Sequence, residues 1–98
     1  RGERMNKFWE IGEKNLHGKE CYLLYLTEFY EDKLILGFIQ DEENEDVFIY
    51  NSEFINVEYD TIIADNVEDA KEILESMIVD YMNEQITELE ERIKRFTE

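Results

Sequence analysis

From residue 65 to residue 96 the apolar side chains recur at gaps of three and four, and neither Gly nor Pro interrupts them. They are Val67, Ala70, Ile73, Leu74, Met77, Ile78, Tyr81, Met82, Ile86, Leu89, Ile93 and Phe96. That repeat belongs to an amphipathic helix, and it predicts one over about residues 66–97. Asp65 is the expected N-cap, with Glu68 three residues on to close a capping box. Carboxylates crowd the first turns (Glu68, Asp69, Glu72) and Arg92, Lys94 and Arg95 sit in the last, which suits both ends of the helix dipole. A chain of 98 residues holds one core and not two. Residues 1–98 therefore read as a single domain with this helix as its main cover. Met5 is a candidate native start, with residues 1–4 then an upstream remnant.

The stretch before the helix alternates in the manner of strands. Phe8, Trp9 and Ile11 favour a first strand at 7–14 over a helical turn, with Asn15 and Gly18 in the turn that follows. Trp9 is expected to anchor a core or an interface, since an indole buries more surface than any other side chain here. Residues 20–27 (ECYLLYLT) are apolar on both alternating sets, as in a central strand covered on both sides, or by the helix on one side and a partner on the other. Residues 33–40 (KLILGFIQ) form the next strand, where Gly37 marks a bulge or a close approach. Residues 41–46 (DEENED) read as a hairpin loop and 47–50 as a strand that 51–53 interrupts. In the last strand, 54–59, Ile55, Val57 and Tyr59 are expected to be dry and Asn56, Glu58 and Asp60 wet. The expected fold class is α+β: an antiparallel four- or five-stranded meander followed by one long C-terminal helix packed on the sheet.

Length then divides the helix. About 30 residues span roughly 45 Å, whereas a six-residue strand spans about 20 Å. The second half should project beyond the sheet, and its apolar positions Val79, Met82, Ile86, Leu89, Ile93 and Phe96 follow a heptad pattern. Homodimerisation through this seam is expected, against the alternative that it folds back onto residues 5–16.

Composition limits the function. With 43% hydrophobic and 13% aromatic residues, the chain is too apolar to be disordered. Its net charge of −16 is unevenly placed: residues 1–19 carry +2, residues 20–91 carry −20 with only Lys33 and Lys71 as cations, and residues 92–98 carry +2. Such a field repels nucleic acid and anionic membrane surfaces, and it attracts basic protein surfaces. The plainer reading is that the acids only confer solubility. One cysteine, Cys21, excludes an internal disulfide and fits a reducing cytosol. No apolar run is long enough to span a membrane as a helix.

Sequence patterns for catalysis are weak. His17 and Cys21 could pair as base and nucleophile, but no motif places an orienting group, and two N/S ligands are too few for zinc. Asp41, Glu43 and Glu45 alternate like calcium ligands, yet Asp46 stands where an EF-hand loop needs Gly. Phosphate-cradling Gly-rich loops are absent. No catalytic residue, metal site or cofactor is assigned, and a non-enzymatic role is expected.

What remains is an anionic surface. The candidate partner-binding residues are Glu28, Glu31, Asp32, Asp41, Glu42, Glu43, Glu45 and Asp46, with Phe29 and Tyr30 among them. Glu53, Glu58 and Asp60 extend the set, and Asp69, Glu72, Asp80, Glu84, Glu88 and Glu91 run along the outer helix face. Tyr50 and Phe54 belong either to this surface or to the core. In size, acidity and β-plus-helix layout the chain resembles the small acidic DNA-mimic proteins of phages and mobile elements, the anti-restriction and anti-CRISPR inhibitors. The resemblance is one of composition and layout, so it transfers no residue roles. It implies a stoichiometric inhibitor that occupies the basic surface of a nucleic-acid-binding protein. A homodimeric structural or regulatory protein, acidic only for solubility, is the alternative; an enzyme using unrecognised carboxylate chemistry comes third.

Overall fold

The computed structural model describes residues 6–14, 18–27, 33–41 and 46–98. Its elements are β1 (Asn6–Ile11), β2 (Cys21–Thr27), β3 (Lys33–Asp41), β4 (Val47–Ser52), a 3₁₀ turn (Glu53–Ile55), β5 (Val57–Ile63) and α1 (Val67–Thr97). The strands form one antiparallel meander in the order β1-β2-β3-β4-β5, and α1 packs on one face of it. The α+β architecture follows the sequence expectation. Residues 6–11 are strand, so the helical alternative for this segment falls.

Strand register decides which side chains meet α1. Trp9 pairs with Leu24, Leu24 with Gly37, Ile39 with Tyr50, and Phe48 with Ile62. Opposed residues share a face of the sheet, and this face carries the core. Leu24, Leu36, Ile39, Phe48, Tyr50 and Ile62 are buried against Ala70, Leu74 and Ile78 of α1. Trp9 is half-buried at the margin. Lys71 stands over both the Trp9 ring at 5.4 Å and the Tyr22 ring at 4.9 Å, a cation held by two aromatic faces.

Three sequence expectations are corrected. First, the N-cap is Asn66, whose side chain accepts from the Asp69 amide at 2.9 Å. Asp65 lies one residue too early, because Ala64 still donates to the Asp46 carbonyl at 3.0 Å at the end of the sheet. Glu68 accordingly pairs with Lys71 rather than closing a capping box. Second, Phe54 and Ile55 lie in the 3₁₀ turn, which Asn56 ends in a left-handed conformation at φ 61°. Third, Tyr59 is exposed rather than dry. It adopts φ 47° where the β4–β5 register shifts, and that bulge turns its ring away from the core. β3 is the middle strand, in keeping with its two-sided apolar run. Within β2 only Leu24 is fully buried, so this strand is covered by α1 on one side alone.

Two small residues let the layers close. Ser52, fully buried, donates from Oγ to the Leu36 carbonyl at 2.5 Å. Leu36 is the extra residue of a bulge, since Leu24 opposes Gly37 and Tyr25 opposes Ile35. Gly37 is a close approach as well: a Cβ there would stand 2.9 Å from the Asn51 carbonyl oxygen, 3.2 Å from Ser52 Cβ and 3.4 Å from Leu74 Cδ2. Backbone cannot yield as a flexible side chain can. Gly37→Ala should therefore destabilise the fold by about 1–3 kcal/mol through overpacking, a fall in Tm of roughly 5–15 °C. Thermal melting followed by circular dichroism checks this, and an unchanged Tm would show that β3 and β4 do not approach so closely at Gly37.

Candidate interaction surfaces

At about 100° per residue, α1 presents three different flanks. Ala70, Leu74 and Ile78 face the sheet. To one side of that line stand Asp65, Asp69, Glu72 and Asp80, all exposed. With Ile63, Ala64, Ile73, Ser76 and Met77 they line an open groove of about 640 Å³ between α1 and β5. Its floor is apolar, its rim is four carboxylates, and no cation is among its lining residues. Beyond the sheet the same flank continues through the exposed Glu84 and Glu91.

The opposite flank begins differently. Glu75 accepts from Lys7 Nζ at 2.6 Å and from Trp9 Nε1 at 2.7 Å, tying α1 to β1. Burial works against ionisation of this carboxyl. The hydrogen bonds from Lys7 and Trp9 and the charges of Lys7 and Lys71 outweigh it, holding the pKa below the ordinary glutamate value. Past Glu75 lie the seam residues. Val79, Ile86, Leu89, Ile93 and Phe96 are exposed, Phe96 at 90%; Met82 is half-buried beside the core. Val79 shares a hollow with Lys7 of β1, while Ile86, Leu89, Ile93 and Phe96 stand exposed, so among the described residues the seam does not fold back onto the first strand. The helix from residue 83 to its end is exposed throughout.

A third surface is the face of the sheet away from α1. Phe8 stacks on Tyr25 with centroids 5.3 Å apart, and Phe38 meets Tyr59 edge-on at 6.2 Å. Ile35 and Ile63 are exposed. The apolar character of both alternating sets in 20–27 was the sequence signal for this face. Sequence could not say which set α1 would cover.

The acidic residues singled out from sequence divide by region. Asp46 sits exposed in the turn before β4, and Asp41 ends β3. Glu28, Phe29, Tyr30, Glu31, Asp32, Glu42, Glu43 and Glu45 lie outside the described residues, as does His17. Glu53, Glu58 and Asp60 are exposed. Tyr50 and Phe54 belong to the core: Tyr50 is buried, and Phe54 is packed edge-on against Tyr81 at 5.6 Å. Burial raises the Tyr50 pKa and the charge of Asp60 adds to the effect. The groove between α1 and β5 had been foreshadowed only as acids along a helix, because its shape depends on how α1 crosses β5. Its carboxylates are strung out rather than convergent, and among the described residues no group of three metal-ligating side chains could hold an ion.

Comparison with protein-family models, curated proteins and solved structures finds no match for this chain.

Glu75 offers a test of the helix placement. Its pKa is lower folded than unfolded, so its stabilising contribution is present above the unfolded value, about 4.3, and is lost as pH falls through the lower folded value. Glu75→Gln should cost about 1–2 kcal/mol at pH 7, where two charge-assisted hydrogen bonds weaken. The penalty should shrink in strongly acidic buffer. Urea unfolding at pH 7 and pH 3 measures both values.

Proposed function

We propose that this chain is a non-enzymatic protein-binding module of the cytosol whose acidic helix flank engages the basic, nucleic-acid-contacting surface of another protein and blocks it. The observation that carries the reading is the groove between α1 and β5, with Asp65, Asp69, Glu72 and Asp80 on its rim and no cation among its lining residues. Lys and Arg suit such a place: their aliphatic stems cover an apolar floor while the charged heads reach carboxylates. Ile73 and Met77, packed against the core, provide that floor.

Charge spacing supports the same reading. From Asp69 to Glu91 the flank runs about 33 Å along α1. The exposed acids Asp69, Glu72, Asp80, Glu84 and Glu91 therefore average one charge per roughly 8 Å. One DNA strand carries a charge per 3.4 Å of axis, so the row amounts to a sparse strand. The exposed acids of the β-side turns, Asp46, Glu53 and Glu58 among them, add to the same field. Charges of this kind steer encounter and select partners more than they supply raw affinity. The apolar floor then contributes the short-range part.

Binding to a basic nucleic-acid-binding protein should weaken steeply with salt and be competed by duplex DNA. Asp65→Asn, Asp69→Asn, Glu72→Gln and Asp80→Asn combined should reduce affinity at least tenfold without unfolding the chain, since all four side chains are exposed. Titration calorimetry of captured partners, wild type against the quadruple variant, decides the matter. Affinity unchanged by the four substitutions would overturn the proposal, as would partners that bind no nucleic acid.

A further inference from the structure

The geometry points to a second copy of this chain as the cover of the exposed helix seam, bound antiparallel, with Val79 opposite Phe96, Met82 opposite Ile93 and Ile86 opposite Leu89. Written as a heptad, the a positions are Val79, Ile86 and Ile93 and the d positions are Met82, Leu89 and Phe96. In the antiparallel register each a residue faces a d residue of the second copy, so a β-branched side chain meets one that is not β-branched at every layer. The chain also has surface to spare. It exposes 7429 Å², against about 6,000 Å² for a folded monomer of this length. The helix from residue 83 onward, exposed throughout, contributes to that excess. The radius of gyration, 16.1 Å, is likewise above the roughly 12.6 Å of a compact domain of this size.

Charge placement selects a second copy as the occupant. In a chain of net charge −16, two copies can meet only where acids are few. The positions flanking the seam beyond the sheet are Asn83, Gln85, Glu90, Arg92 and Thr97, while Glu84, Glu91 and Glu98 fall at the position farthest from it. Two arrangements of the helices are open. Parallel helices would set the two acidic sheet bodies side by side and crowd Arg92, Lys94 and Arg95 of one copy against those of the other. Antiparallel helices put the bodies at opposite ends of a shared seam about 27 Å long, well beyond the screening length of about 8 Å at physiological salt. They also set the basic last turn of each copy level with Asp80 and Glu84 of the other. In that register Asn83 flanks Glu90 of the second copy and Gln85 flanks its Arg92, so no like charges meet. The helix dipoles oppose as well, which is the favourable sense.

The overlap fits the steric limits. Every seam residue from Val79 to Phe96 finds a partner, and only Thr97 and Glu98 extend past the seam toward the other copy's sheet. The acidic groove lies about 140° around α1 from the seam, so dimerisation leaves it open.

Sedimentation equilibrium from 1 to 200 µM should show a monomer–dimer equilibrium that tightens between 50 and 500 mM NaCl, because screening relieves the repulsion of two acidic bodies. Ile86→Glu with Leu89→Glu should weaken association at least 100-fold. Far-UV circular dichroism and the urea midpoint should stay near wild type, since both side chains are exposed in the single chain. On a Cys21→Ser background, spin labels at Glu98→Cys should lie about 30 Å or more apart in the dimer. A wild-type chain that stays monomeric at 200 µM overturns the proposal. So does a dimer that survives the paired substitutions, which would place the contact on the open sheet face instead. Labels within about 20 Å of each other would overturn the antiparallel register. Partner binding through the groove weakens with salt while this association strengthens, so either can fail without the other.

Discussion

A helix of 31 residues laid on strands of six to nine cannot be covered along its length, and that mismatch governs the rest of the molecule. Only Ala70, Leu74 and Ile78 of α1 are fully buried, so the sheet contact occupies its first half. Close packing there depends on Gly37 and Ser52, which bring β3 and β4 up to Leu74. Beyond Met82 the helix has no sheet beneath it. A free helix of about 15 residues is marginal in water. This one continues from a turn already fixed by packing, so the cost of nucleation has been met, but none of the described residues covers its apolar stripe beyond Met82.

The same element divides the electrostatics. Cations are scarce between residues 20 and 91, and Lys71 is used structurally, over Trp9 and Tyr22. Lys7 is likewise committed to Glu75. The flank toward β1 is therefore neutralised, and Lys7 also shares a hollow with Glu72 and Asp80. Asp65 and Asp69 on the flank toward β5, by contrast, have no ion pair among the described residues. Acids gathered on one flank repel one another. That cost is tolerable because their side chains remain in water, where a charge pair at several ångströms interacts by less than about 1 kcal/mol.

How legible this was depended on whether a local pattern or a crossing angle determined the feature. The helix was legible because its period runs unbroken from Val67 to Phe96. Its cap was misplaced by one residue because Asp65 and Asn66 are both good caps, and the sheet bond from Ala64 to Asp46 chose between them. The phase of β5 was lost at Tyr59, a residue that gives no warning of a positive φ. β2 read correctly as apolar on two sides, but sequence could not tell that one side would stay open. The groove was the least legible feature. It joins Ile63 to residues of α1, and no periodicity reports the angle at which a helix crosses an edge strand.

The two flanks of α1 make related demands on a partner. In the antiparallel pair the two grooves are related by a two-fold axis and stand about 46 Å apart along the helices. A single groove offers a few exposed carboxylates, each contributing little on its own. Two grooves held at a fixed separation convert the second contact into an intramolecular one, and avidity then exceeds either affinity without any new contact. That gain goes only to a partner whose basic patches repeat at a matching distance. Partners with one isolated basic patch would bind a single groove and gain nothing from the pairing. In the proposed pair the helix overhang would serve selectivity: acidity would supply attraction to many basic surfaces, and the fixed spacing of two grooves would discriminate among them.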